Sequence, residues 1–359
     1  MSSLIFFVIL GVLIVVHEFG HFIIAKKVGV KVEQFSLGFG PNLLRRKFGD
    51  TEYSISAIPL GGFVKMAGDD LEQYKGKPFE FYSKSILQRA MIIFFGPLLN
   101  YLLGFLIFWF IFFVGYPAVT NKIGGLKDGY GAKLAGLQVG DRVLAVDGVK
   151  VALWEDLFRN LQMRKDPDRV LLAVQRGSTQ FDLDVKVTQQ QLDDSGKKRS
   201  VGLLGIISSD ETVKVKYGIF QSFTLGLERT WDLTTLTYQV LGRIFTGRLS
   251  LRDSVAGPLS MYDLTAKTAK MGLIAVVNLT ALLSISLAIF NLLPFPVLDG
   301  GHILFLGLEK LRKKPLSLKV DRAITQLGFT MLISLMLFVT YNDVVRLFGD
   351  KISKFFGRL

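Results

Sequence analysis

Two histidines and a glutamate near the N-terminus have the types and spacing for metal chemistry. His17-Glu18-Phe19-Gly20-His21 sets two imidazoles four residues apart. On a helix both leave one face and can bind a single zinc ion. Glu18 then lies beside the water such a site activates, where a carboxylate serves as general base. The surroundings are not those of a soluble enzyme, because residues 4–16 and 22–25 are apolar throughout. Two histidines and a glutamate without a purpose in such a stretch would cost several kcal/mol.

Hydrolytic zinc needs three protein ligands and one open position. Asp299 is the best third ligand. It lies in Asn291-Leu292-Leu293-Pro294-Phe295-Pro296-Val297-Leu298-Asp299-Gly300-Gly301-His302, where two prolines interrupt an apolar segment. A proline pair unwinds a helix locally. An ionisable group at that depth is costly unless it meets a cation. Asn291 could hydrogen-bond the substrate backbone or a developing oxyanion, and opened backbone at Pro294 offers further partners. His302 reads as satisfying local backbone or lying at the interface, not as a fourth ligand. Asn100, after Gly96-Pro97, is either a helix-packing residue or an active-site donor. Asp343 is expected to be exposed near the outer end of the last span.

The elements that position these groups follow from composition and charge. The chain has 359 residues, is 50% hydrophobic and contains no cysteine. Its mean hydropathy of +0.40 is that of an integral membrane protein with a soluble part. The absence of cysteine excludes thiolate ligands, disulfides and a cysteine nucleophile. The net charge of +13 does not indicate nucleic acid, because Lys and Arg cluster beside apolar segments, where they act as topology signals. The first segment lacks the basic start and small-residue cleavage site of a signal peptide.

Four spans are expected, at residues 3–25, 89–116, 271–293 and 324–345. Lys26-Lys27 and the basic loop at 309–322 put the ends of the first and third spans in the cytoplasm, so both termini lie outside. His17, His21 and Asp299 then reach one depth, toward the cytoplasmic half. Residues 32–66 alternate like strands around glycine-rich bends, with a polar cytoplasmic loop at 67–88. Strands there must pair, pack on protein or line a wet cavity. An open edge could add an extended substrate as a further strand, which singles out Gly38, Gly40, Ile58, Gly61 and Gly62. The fold class is an α-helical integral membrane protein with four transmembrane helices, a membrane-associated β-hairpin or sheet, and an inserted α+β domain. That domain is expected at 117–210, with amphipathic helices at 211–270 lying on or near the membrane.

The order of elements in the insert resembles a PDZ domain. Ala135-Gly136-Leu137-Gln138-Val139-Gly140-Asp141 followed by the Asp147-Gly148 hairpin carries the likeness, in the circularly permuted bacterial arrangement. Its candidate ligand groove is Gly202, Leu203, Gly205 and Ile206. Together with His17–His21, Gly38-Phe39-Gly40, Phe95-Gly96-Pro97-Leu98-Leu99-Asn100 and the 291–301 run, the whole chain resembles the site-2 protease family, above all its bacterial RseP-type branch. The resemblance implies an intramembrane protease with one Zn2+, held by His17, His21 and Asp299, with Glu18 as base. It implies a multi-pass protein of the bacterial cytoplasmic membrane with the PDZ domain outside. Its partners would be the lipid bilayer and transmembrane substrates whose outer domain has been trimmed, such as anti-sigma factors or remnant signal peptides. The 53–66 stretch would clamp the unwound substrate, and the helix at 220–245 would shape a gate. The best-studied members of that branch carry two tandem PDZ domains, whereas this chain has room for one. A non-catalytic scaffold presenting the PDZ domain is the alternative. A dead relative would be expected to have lost Glu18, a histidine or Asp299, and all are present.

Overall fold

The computed structural model describes residues 2–162, 168–194, 197–314 and 317–356. From the N-terminus, α1 (Ser2–Lys27) leads into two long strands, β1 (Val32–Phe48) and β2 (Thr51–Met66), and then α2 (Ile86–Val114). An inserted run follows: β3 (Tyr116–Val119), β4 (Ile123–Leu126), α3 (Gly131–Leu134), β5 (Arg142–Val146), β6 (Val149–Lys150) and α4 (Trp154–Gln162). It continues with β7 (Arg169–Arg176), β8 (Thr179–Lys186), β9 (Thr188–Asp194), β10 (Lys197–Leu203), β11 (Ile206–Ser208) and β12 (Thr212–Val215). The chain ends with α5 (Ile219–Phe245), α6 (Leu251–Ser254), α7 (Pro258–Lys270), α8 (Leu273–Asn291), α9 (Asp299–Arg312) and α10 (Leu318–Phe356). Two compact units result. One combines Met1–Ile111, Phe220–Phe245 and Leu249–Leu359; the other is Phe112–Ile219 with Thr246–Arg248.

In the first unit, α1, α2, α8 and Lys319–Phe348 of α10 are long and apolar enough to cross a membrane. Between 11 and 33% of each such window is buried, so most of the apolar surface points outward, as a lipid solvent allows. The helices meet where side chains are smallest. A Cβ on Gly20 would lie 2.1 Å from the Phe95 carbonyl oxygen, and one on Gly104 would lie 2.5 Å from Ile285. Small residues at such crossings let backbones approach closely.

The two long strands do more than form a hairpin. Gln34–Leu37 is paired on both sides, with Gly62–Lys65 and with Glu52–Ile55, while Leu44–Phe48 pairs with Thr51–Ile55. Bends make this possible, at Gly38 and Gly40 (both φ 88°) and at Gly61 (φ 117°). A Cβ on Gly38 would meet the Ile58 carbonyl oxygen at 2.5 Å, so only glycine fits that turn. Segments 42–48 and 61–66 are left as the outer edges.

The second unit is built around the sheet β6-β5-β7-β8. Asp147 and Gly148 both take positive φ (48° and 83°), the turn that a two-residue hairpin favours. Expected to end at residue 210, the unit runs further: β12 pairs with β3, Val215 opposite Tyr116. This ladder joins the two ends of the insert.

One further expectation changes. Residues 309–322 are not simply a basic loop, since α9 fills the stretch to Arg312 and Lys310 and Arg312 lie in its last turn, where cations suit the helix dipole. The helix at 219–245 packs against α2. Its small stripe Ser222, Gly226 and Thr230 is buried. Phe223 meets Phe105 and Trp109 edge-on, and Thr234 hydrogen-bonds the Tyr101 hydroxyl at 2.9 Å.

Candidate active site

His17 and His21 leave one face of α1 with their Nε2 atoms 3.2 Å apart. Asp299 meets them from α9: Oδ2 is 3.2 Å from His17 Nε2, and Oδ1 is 3.7 Å from His21 Nε2. Among the described residues these three form the one group with metal-ligand character, all donor atoms lying within 4.8 Å of one another. A tetrahedral zinc ion with ligands at about 2.0–2.1 Å spaces its donor atoms about 3.3 Å apart. The observed separations and the donor chemistry, two imidazole nitrogens and one carboxylate, therefore fit zinc. The side chains are 12, 12 and 17% exposed, an environment in which a carboxylate between two imidazoles is favoured by a cation partner.

Helix α2 supports the histidines from behind. His21 Nδ1 donates to the Ile92 carbonyl at 2.9 Å, which leaves Nε2 as the nitrogen that could hold a metal. Gly96 makes room: a Cβ there would lie 2.3 Å from the His21 ring. His17 Nδ1 is 3.4 Å from Asn100 Nδ2, and Asn100 is fully buried. Asn100 thus faces His17 while its backbone carbonyl takes part in the α2–α8 contact. The Ile92 carbonyl and the Gly96 clearance carry no chemical side chain, and a glycine before proline was the signal available.

Asp299 is the first residue of α9. A carboxylate is stabilised there by the helix dipole and unpaired backbone N–H groups. The two prolines do not simply unwind a span: α8 stops at Asn291, a turn follows, and a new helix begins at Asp299 itself. The turn is tight. Val297 takes φ 80°, a strained value for a β-branched residue. A Cβ on Gly300 would fall 2.2 Å from Leu292 O, and one on Gly301 2.2 Å from Phe295 O. Gly328 of α10 backs the turn against Pro296.

Glu18 lines a cavity of about 430 Å³ together with His21, Asp299, His302, Val64 and Met66. Gly62 lies against it, its missing Cβ 3.2 Å from Glu18 Cγ. Of the strand residues singled out in the sequence, Gly62 is the one beside Glu18. Gly38, Gly40 and Gly61 form the bends, and Ile58 is half-exposed opposite Phe39. Asn291 closes α8, partly buried, and Pro294 is exposed in the turn. His302 is exposed and stands edge-on to Phe305.

Asp343 is not exposed as expected. It is 3% exposed and accepts hydrogen bonds from the Gly257 and Ser260 amides (3.2 and 2.9 Å) and the Ser260 hydroxyl (2.5 Å), capping the start of α7. In the inserted unit, Gly202 and Leu203 pair with Gln189 and Thr188, and their side chains fall outside the described residues. Gly205 makes a turn at φ 75°, and Ile206 packs on the core while pairing with Leu126.

Two histidines on one apolar helix and an aspartate at the head of another define a metal-dependent peptidase carried on membrane-type helices. Residues 5–335 match the model of peptidase family M50, to which this chain belongs, and it is a zinc metalloprotease. The regulator of sigma-E protease RseP of Escherichia coli K12 is 31% identical, over 95% of this chain and 98% of its own. The zinc metalloprotease RasP of Bacillus licheniformis is 30% identical, over 96% and 98%. Among solved structures, the PDZ domain of an SdrC-like protein from Listeria monocytogenes is similar at 23% identity, covering 26% of this chain and 90% of that one with a TM-score of 0.21.

Proposed function

We propose that this chain is an intramembrane protease that hydrolyses peptide bonds within the transmembrane segments of single-span membrane proteins. The observation that carries the reading is the His17–His21–Asp299 cluster inside helices whose outer surfaces are apolar. His17, His21 and Asp299 hold the zinc, which when bound polarises water and the scissile carbonyl. Glu18 takes the proton from the attacking water and passes it to the leaving amine. The 61–66 edge, running past Glu18 at Gly62, offers backbone groups to an extended segment, as strand addition requires. Asn291 and the backbone around Pro294 supply further hydrogen bonds to the substrate, with Gly38, Gly40, Ile58 and Gly61 shaping the surface on which it lies.

Lys26-Lys27 end α1 about 9 Å beyond His21 at 1.5 Å per residue, which supports a site in the cytoplasmic half of a bacterial inner membrane. Both termini and the inserted unit then lie outside. That unit is a single PDZ domain, with Gly202, Leu203, Gly205 and Ile206 bordering its groove. It screens substrates already trimmed of their outer domain, membrane-tethered anti-sigma factors or remnant signal peptides among them.

Glu18→Gln tests the reading. The variant is expected to keep stoichiometric zinc and to lose cleavage of a model transmembrane substrate by about 10²–10⁴-fold. Normal turnover would remove Glu18 from the mechanism. Single-span fragments accumulating in membranes that carry the variant would identify the substrates.

A further inference from the structure

The two ligand histidines are held in different ways. His21 rests on a backbone carbonyl, that of Ile92. His17 has a side chain behind it, the amide of Asn100, fully buried and in reach of Nδ1 at 3.4 Å. The Asn100 Oδ1 atom is buried and has no partner among the described residues. The His17 Nε2 atom faces Asp299 and His21, so it is the ligating nitrogen. A neutral imidazole that ligates through Nε2 carries its hydrogen on Nδ1. That N–H needs an acceptor, and an amide NH₂ cannot be one. A half-turn of the amide, which costs no space, brings Oδ1 to His17. The same rotation ends the isolation of the buried oxygen.

We infer that Asn100 is a positioning residue for the zinc centre, accepting a hydrogen bond from His17 Nδ1 through Oδ1. It fixes both the tautomer and the ring plane of that ligand. The inference rests on the reading of His17, His21 and Asp299 as the zinc site. Asn100 is itself well anchored: its backbone carbonyl accepts from Ser284 Oγ of α8 at 2.7 Å, and a Cβ on Gly104, one turn on, would press on Ile285. Asn100 thus stands where α2 packs on α8, with its side-chain amide free of that contact, and α8 leads through the Val297 turn to Asp299. One residue links the α1 histidine to the helix that runs into the turn before Asp299.

The test measures zinc affinity, using the full-length chain in detergent and competition with a chromophoric chelator. Asn100→Leu keeps the volume and removes the acceptor. It is expected to weaken zinc binding about 10–100-fold, the usual cost of losing such a partner. Asn100→Asp keeps an acceptor for Nδ1–H and is expected to restore most of the affinity. Ser284→Ala disturbs the α2–α8 contact without touching the amide, and is expected to bind zinc like the wild type. Wild-type affinity in Asn100→Leu would overturn the inference, as would an Asn100→Asp variant as weak as the leucine. Equal weakening by Ser284→Ala would also overturn it, because the effect would then be packing. A wild-type chain that binds no zinc would instead overturn the metal reading and this inference with it.

Discussion

The inserted unit and the membrane-type unit hold themselves together by opposite means. Among the described residues, thirteen buried side chains of the insert form one apolar cluster from Ile123 to Leu204, packed between the sheet and α4. The larger unit has a buried cluster of five, Ala25, Val30, Val32, Phe81 and Ile92, at one end of α1. In water, apolar burial drives assembly and register follows from it. Where helices face lipid that drive is absent, and association depends on close packing and on polar contacts. The polar contacts here are the ones that matter: Asp343 on α7, Ser284 on Asn100, and Arg89 on Glu309 at 2.5 and 3.1 Å. The small cluster has a task of its own, since Ile92 is the residue whose carbonyl orients His21.

This contrast predicts that polar and glycine substitutions in the larger unit disable chemistry, while those in the insert change its stability and leave the metal alone. The largest effect belongs to Asp299→Ala. It leaves two ligands where hydrolytic zinc needs three. Zinc content measured on the purified chain should fall well below one per chain, with the insert still folded. Full stoichiometry would take Asp299 out of the ligand set.

Gly96→Ala comes next and needs no charge at all. The added methyl would lie 2.3 Å from the His21 ring, so the ring or α2 must move. Overpacking of that kind costs about 1–3 kcal/mol. The sharper expectation is weakened zinc binding and lost cleavage. Gly11→Ala is the control on the same pair of helices, because nothing lies within 4 Å of its added Cβ. If both variants keep full activity, backbone proximity at Gly20 and Gly96 does not set the site.

How much of this could be read from the residues follows the same division. The spans, the His-Glu-x-x-His spacing and a costly Asp299 near two prolines are signals of hydropathy and burial cost, and those survive any packing. The restart of a helix at Asp299 was not readable, because prolines announce a break and do not say how the chain resumes beyond it. Nor was Asp343, a carboxylate in an apolar segment that reads as exposed until a Gly-Pro helix start is brought to it. The Ile92 carbonyl has no sequence signature. Thr212–Val215 reads as part of the helices after the insert, since a four-residue strand is decided by its partner, Tyr116–Val119, about a hundred residues earlier.

The smallest effect, and the one that separates the units most cleanly, is Asp141→Asn in the insert. Asp141 is 1% exposed and accepts from Arg176 Nε and Nη2 and from the Gln138 amide, all at 2.8 Å. Burial opposes its ionisation, yet the Arg176 guanidinium and the Gln138 amide outweigh it and hold the carboxyl below the ordinary value of 3.8. A folded-state value below the unfolded one stabilises the fold above that unfolded value and is lost as pH falls through the folded one. The substitution should therefore cost about 1.5–3 kcal/mol near neutrality, as for a hydrogen bond to a charged group. The gap between wild type and variant should close as pH drops below about 4. Hydrogen exchange on β5 and β7 of the full chain would follow both. Zinc content and cleavage of a short transmembrane substrate should not change. A variant that loses zinc along with the β5–β7 ladder would mean that the two units are not independent in stability.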